Sequence, residues 1–218
     1  MSPSTDGLFG PEPAPDLLAF ETLARRRGFR AVAGVDEAGR GPLAGPVVAA
    51  AVILPEGLEL PGVNDSKQLS PSRRDELFDV IQAVAVAVGV GIADPGAIDR
   101  LNILQATLAA MGQAIAGLST SPDFLLVDGI SSVPLTIPQQ TIKQGDARSL
   151  SIAAASIVAK VTRDRLMVEY DRLYPGYGFA GHKGYGSAAH RAAIERLGPC
   201  PIHRRTFRGV REFVRSEE

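Results

Sequence analysis

The stretch Ala31-Val32-Ala33-Gly34-Val35-Asp36-Glu37-Ala38-Gly39-Arg40-Gly41-Pro42 decides how the rest of the chain is read. Its first half is apolar, so Ala31 to Asp36 reads as a first strand. Its end carries two adjacent carboxylates. Ionised carboxylates beside a core repel each other and lose hydration, a conflict that a divalent metal would remove. Neighbours on a strand point to opposite faces. Asp36 and Glu37 can therefore share an ion only if the strand bends or ends there, which the following glycines allow. The next segment, Pro46 to Leu54, is apolar throughout, as expected of a strand covered on both faces.

Helices and strands alternate along the remainder. Asp16 to Arg27 reads as a short helix with Leu17, Phe20 and Leu23 on one side. Ser70-Pro71 starts a helix that runs to about Ala83, and Val84 to Ile92 reads as a strand. Asp94-Pro95 opens a helix with an apolar stripe at Leu101, Leu104, Leu108, Met111 and Ile115. Phe124 to Asp128 is a short buried strand. Leu135 to Lys143 is a further strand, with Pro138 marking an edge or a bend. Ser149 to Leu173 is a long helix, Pro175 to Gly186 a Gly- and Tyr-rich loop, and Ser187 to Leu197 a last clear helix. This order defines an α/β class with a mixed sheet. Residues 1–15 read as a flexible tail, and residues 16–218 as one domain.

The 218 residues, 45% hydrophobic and 22% charged, suit one sizeable soluble core. The longest apolar run, Leu43 to Leu54, is too short to span a bilayer. The N-terminus lacks a secretory pattern, and the single cysteine, Cys200, excludes an intramolecular disulfide framework. A cytoplasmic protein without membrane attachment is expected, and with no legible oligomer interface, a monomer. Net charge is −1, but residues 160–218 carry +5 and residues 1–159 carry −6. The basic tail is either a nucleic-acid surface or a set of solvated helix faces.

Two more acids end apolar segments: Asp128, before Gly129, and Asp146, in Lys143-Gln144-Gly145-Asp146 ahead of the long helix. Strand ends of an open α/β sheet are where ligand sites form. Four carboxylates without a His or Cys partner suit Mg²⁺ or Mn²⁺ rather than zinc. Each acid taken alone can be a turn or cap residue, a reading that weighs more for Asp146, ahead of a helix, than for Asp36-Glu37. Gly39-Arg40-Gly41 lets a ligand approach the backbone and offers a guanidinium to phosphate, or is a plain tight turn. Its spacing is not that of a dinucleotide loop, and a strand follows rather than a helix. Gly178 to Gly186, with Phe179, His182, Lys183 and Tyr185, interleaves aromatics and cations as a nucleic-acid contact would, or is a surface loop. His182, His190 and His203 lack metal-ligand spacing and read as solvated or phosphate-side residues. Cys200 reads as a bystander, and no serine-nucleophile motif accompanies Ser149, Ser151 or Ser156.

Gly34 to Pro46 closely resembles bacterial ribonuclease HII. So do, in the expected order, Asn64-Asp65-Ser66-Lys67, Val127-Asp128-Gly129, Lys143-Gln144-Gly145-Asp146, Ser151 to Asp164, His182-Lys183-Gly184-Tyr185-Gly186 and His203-Arg204-Arg205-Thr206-Phe207. Ser187 stands where the family pattern has Thr and keeps the hydroxyl. The resemblance covers about residues 30–210 and implies an RNase H-like mixed β-sheet flanked by helices, with residues 175–218 as a C-terminal helical extension that binds substrate. It implies cleavage of RNA in RNA–DNA hybrids, including single ribonucleotides embedded in duplex DNA, with two Mn²⁺ or Mg²⁺ ions. By the family pattern Asp36, Glu37, Asp128 and Asp146 hold metal. Gly39, Arg40 and Gly41 read the ribose 2′-hydroxyl and the scissile phosphate, and Tyr185 stacks on the next sugar. Lys67, Lys143, Lys160, Lys183, Arg204 and Arg205 are expected to hold flanking phosphates. Two rivals are a related metal nuclease acting on branched DNA, which would cut without any ribose, and a non-catalytic nucleic-acid binding module.

Overall fold

The computed structural model describes residues 16–58, 60–63 and 69–214. The tail 1–15 and the Asn64 to Lys67 motif lie outside the described residues. After α1 (Ala19–Arg26) come β1 (Val32–Ala38) and β2 (Val47–Ile53), then α2 (Pro71–Val84) and β3 (Ala87–Ala93). Next are α3 (Pro95–Leu101), α4 (Ile103–Ala116), β4 (Phe124–Asp128) and β5 (Gln139–Ile142). The long helix α5 (Leu150–Leu173), the short α6 (Phe179–His182) and α7 (Ala188–Leu197) follow. The strands form one mixed sheet in the order β3-β2-β1-β4-β5. β2 is antiparallel to β1 and β3, while β1, β4 and β5 run parallel.

β2 is buried along its whole length because each face meets a helix. Val47, Ala49 and Ala51 pack in the layer that includes Ala106, Ala110 and Ala114 of α4. Ala50 and Val52 pack in the layer that includes Ala154 and Val158 of α5. Small residues set these approaches. A Cβ on Gly34 would stand 2.1 Å from the backbone of Ser151, so α5 crosses β1 in contact with its main chain. That crossing brings the middle of α5 to the end of β1, where the carboxylates sit.

The helix expected after Asp94 is two helices. Asn102 takes a left-handed φ of 71° and caps α4, its side chain accepting the N–H of Gln105 at 3.1 Å. The restart shifts the helical phase. Leu101 and Leu104 are exposed, and the packed face of α4 is Ala106, Ala110, Met111, Ala114 and Ile115. Small side chains face the sheet because a Cβ on Gly89 or Gly91 of β3 would lie 2.0 Å from the carbonyls of Ala114 or Ala110. The strand expected over Leu135 to Lys143 begins only at Gln139. Before it, the Gln139 amide bonds both N–H and C=O of Val133 (2.9 Å each), holding a loop in place of a longer strand.

Candidate active site

The last parallel pair between β1 and β4 is Val35 with Val127. Asp36 and Asp128 each follow by one residue, so two carboxylates leave the C-terminal ends of neighbouring parallel strands, the expected site position in such a sheet. On its other side β1 stays paired with β2 to Ala38, and Gly39 (φ 96°) then turns the chain. The strand has ended for one neighbour and not for the other, and Asp36 and Glu37 lie at that boundary. The Asp128 carboxylate accepts the N–H of Gly145 at 2.6 Å. This ties β4 to the 3-10 turn Gly145–Ala147, which carries Asp146. That turn runs into Ser149, the N-cap of α5. The buried Glu21 of α1 braces this junction, accepting Ser149 Oγ–H (2.7 Å) and Ser151 N–H (2.9 Å).

Asp36 is 4% exposed and Asp146 3%. Burial first, then the charges of Glu37 and Asp128, raise the Asp36 carboxyl well above the usual carboxylate range, against hydrogen bonds from the Ser156 hydroxyl and the Glu37 N–H. A buried anion raised by two neighbouring anions is what a hard cation would neutralise. Among the described residues no three acidic, histidine or cysteine side chains already close on one point as a finished cage. The donor set fits a divalent cation in chemistry and charge, and its oxygens are shared with backbone N–H groups at Glu37 and Gly145.

Beside the carboxylates a cleft of about 170 Å³ is lined by Glu37, Gly39, Ser156, Lys160, Arg163 and Tyr185, with Ala38. Ser156, Lys160 and Arg163 recur at helical spacing on one face of α5, a signal in the sequence that singles out Ser156 and Arg163 beside Lys160. Arg40 is exposed and meets Glu37 at 3.4 Å, an exposed pair of small energetic weight. A Cβ on Gly41 would touch the Tyr185 ring at 3.8 Å, so the Gly39–Gly41 turn and the half-exposed Tyr185 face each other. Lys160 pairs with Asp164 at 2.7 Å. Lys183 is half-buried, its Nζ on the carbonyl of Ala180. Lys143 is exposed just after β5. Lys67 lies outside the described residues. Arg205 lines a different cleft, with Glu195, Arg196 and Phe213.

Two expectations need correction. Arg204 is fully buried, and its guanidinium donates to the carbonyls of Gly45 (3.0 Å) and Arg40 (2.7 Å), and to those of Gly39 and Pro46. Its donors are used internally, so it does not reach a phosphate. Nor are His190 and His203 solvated. His190 and His203 are buried, and His182 stacks on His190 with ring centroids 4.4 Å apart. The Cys200 N–H donates to His203 Nδ1 (2.9 Å), which leaves the His203 Nε2–H to donate to His190 Nε2 (3.1 Å). His190 Nδ1–H then donates to the carbonyl of Tyr185 (2.9 Å). This relay requires both rings neutral. Burial, chiefly, pushes His190 down and His203 down to about 4. The neutral rings hold the backbone of Tyr185.

The fold matches that of solved RNase H-like proteins. The crystal structure of ribonuclease H2 from Pyrococcus horikoshii superposes with a TM-score of 0.71 at 30% identity, over 84% of this chain and 97% of that one. RNase HII in its PCNA complex from Archaeoglobus fulgidus gives 0.71 at 25% identity, over 87% and 98%. The sequence profile of the ribonuclease HII family matches residues 33–210. A ribonuclease HII from Geotalea uraniireducens is 69% identical over 98% of this chain and 99% of its own length. The chain belongs to the ribonuclease HII family, type 2 ribonucleases H that hydrolyse the RNA of RNA–DNA hybrids.

Proposed function

We propose that this chain cuts on the 5′ side of single ribonucleotides embedded in duplex DNA, as well as within longer hybrids. The ends would be 3′-hydroxyl and 5′-phosphate, and the role would be the removal of ribonucleotides from DNA. The observation that carries this reading is the meeting of the Asp36 and Asp128 carboxylates with a glycine turn that Tyr185 faces. Asp36, Glu37, Asp128 and Asp146 would hold two Mn²⁺ or Mg²⁺ ions. Such ions supply an activated water and a counter-charge for the leaving 3′-oxygen. Gly39 to Gly41 present backbone close to the ribose, where the 2′-hydroxyl alone separates RNA from DNA. Tyr185 offers an aromatic face to the adjoining sugar. Lys143, Lys160 and Lys183 would hold flanking phosphates, and residues 175–218 would serve as the substrate-binding extension of a single catalytic domain. The protein would act on nucleic acid as a monomer in the cytoplasm.

The test is a labelled duplex with one ribonucleotide, beside an all-DNA duplex and a branched junction, with Mn²⁺, Mg²⁺ or chelator. Cleavage of the first alone, only with metal, is the expected result. Cutting of the junction without ribose, or binding without product, would replace this reading by one of its rivals.

A further inference from the structure

Two buried guanidiniums lie beneath the turn that would meet the substrate. Arg163 of α5 donates through Nε to the carbonyl of Pro46 (3.0 Å), through Nη1 to that of Lys183 (3.0 Å) and through Nη2 to that of Ala44 (3.2 Å). Arg204 takes the carbonyls of Gly39, Arg40, Gly45 and Pro46. Between them they collect the carbonyls of Gly39, Arg40, Ala44, Gly45 and Pro46, with Lys183 from the Tyr185 loop. Both are essentially unexposed. Among the described residues neither has a carboxylate within ion-pair distance. A buried charge without a counter-ion is costly, so its retention calls for a reason.

The geometry has a consequence for the outer side of the turn. With the carbonyls of Gly39 and Arg40 turned inward onto Arg204, no intramolecular hydrogen bond among the described residues takes the N–H of Arg40 or Gly41, and both residues are exposed. Gly39 is itself fixed by the clamp: a Cβ there would lie 2.0 Å from Arg163 Nε. The Arg163 guanidinium also lies 5.9 Å from the Tyr185 ring centroid, so one side chain touches both halves of the contact.

We propose that Arg163 and Arg204 are paired positioning residues that turn the carbonyls of residues 39, 40 and 44–46 inward, so that the turn presents its N–H groups and a buried positive field to the ribose and its phosphodiester. The inference rests on the ribonucleotide-recognition reading above. It assigns selectivity for ribose to two side chains that never touch the substrate. Lysine keeps the charge but gathers its three donors on one nitrogen, so it reaches only carbonyls grouped about a single point and loses the spread of the guanidinium fork.

Arg163→Lys and Arg204→Lys are compared with the full-length wild type and with Met167→Leu, a volume-conserving change of a buried side chain next to Gly45. For each, KM on a duplex with one ribonucleotide is measured against Ki for the matching all-DNA duplex, alongside a thermal melt. The expected result is that both lysine variants lose about tenfold in the ratio of Ki to KM, the scale of one charge-assisted hydrogen bond, while Met167→Leu keeps the wild-type ratio. A wild-type ratio in folded lysine variants, whatever their melting temperature, overturns the proposal. If they do not fold, amide shifts of the wild type decide. Arg40 and Gly41 N–H must respond to the ribonucleotide duplex more than to the all-DNA duplex, and equal or absent responses overturn it. A wild type that itself shows no preference for ribose would instead sink the functional reading.

Discussion

The two sides of the cleft hold charge in opposite ways. On the acidic side Asp36 is buried, crowded by Glu37 and Asp128, and raised well above its ordinary range. On the basic side Arg163 and Arg204 are as deeply buried, yet their N–H groups are met by carbonyls. His190 and His203, beneath Tyr185, avoid the problem because burial favours their neutral rings. On the proposed reading, the acidic side keeps its conflict for a bound cation to resolve. The basic side resolves its own conflict internally and uses the result to hold backbone in place. The first should respond to metal, and the second to proton and packing.

The largest effect follows from breaking the acidic side. Asp36→Asn should lower turnover by about three orders of magnitude, the several kcal/mol that a metal-centred charge contributes, while binding of the hybrid persists. The same change should raise the melting temperature in chelator. A folded-state pKa held above the unfolded value means that the ionised carboxylate costs stability at neutral pH, and the amide removes that cost. A gain of about 1 kcal/mol is expected. Wild-type turnover, or a fall in stability without metal, would show that Asp36 is a structural acid.

The difference between the two sides also explains what the sequence could tell. An acid directly after an apolar run, as in Val35-Asp36 or Val127-Asp128, exposes its conflict in the one-dimensional pattern. The places of Asp36 and Asp128 at the ends of buried strand segments were legible for that reason. The break at Asn102 was not, because the left-handed residue that resets the helix sits inside an unbroken apolar periodicity. Nor was the role of His203-Arg204-Arg205. A run of cations reads as surface, and only the tertiary fold shows that Arg204 and His203 point inward while Arg205 points out. The spacing of Ser156, Lys160 and Arg163 was available, but nothing local distinguishes a buried arginine from a solvated one.

On the basic side, pH is the first probe. The unfolded chain takes up protons below pH 6.5, whereas burial holds His203 neutral in the folded state until about 4. Stability contributed by the neutral relay is therefore complete above pH 6.5 and is lost as pH falls through that window. About 2 kcal/mol should disappear between pH 6.5 and about pH 5, at roughly 1.4 kcal/mol per pH unit for one group. Denaturant titrations across this range should show it, with a clearly smaller loss in His203→Asn, which can still accept the Cys200 N–H. Protonation of Asp36 acts in the opposite sense over part of the range, so the informative quantity is the difference between wild type and variant. Equal pH slopes in the two would mean that the ring titrates normally and the relay does not exist as drawn.

A smaller effect tests what the relay supports. Removing the ring in Tyr185→Ala leaves the backbone carbonyl that His190 holds and deletes only the exposed face. Activity on a lone embedded ribonucleotide should drop about tenfold, in the range of one stacking contact, with the melting temperature nearly unchanged. A long hybrid, which has alternative registers to occupy, should lose less. An unchanged rate on the lone ribonucleotide would remove Tyr185 from substrate recognition.

The smallest effect separates two adjacent arginines. Arg205 is exposed, its backbone N–H anchored on Asp99 at 2.9 Å, and it lines a cleft apart from the one that holds Glu37 and Tyr185. If it meets the duplex at all, it does so as one phosphate contact on the flank. Arg205→Ala should then raise KM by about twofold and lower the slope of log KM against log salt by at most about 1, with kcat and selectivity for ribose intact. Arg204→Lys changes no surface charge, yet it should alter selectivity with little change in that salt slope, because its action runs through the direction of carbonyls rather than through a phosphate. Should the salt slope fall with the Arg204 variant and selectivity with the Arg205 variant, the division between a solvated cation and a buried positioning cation would be reversed.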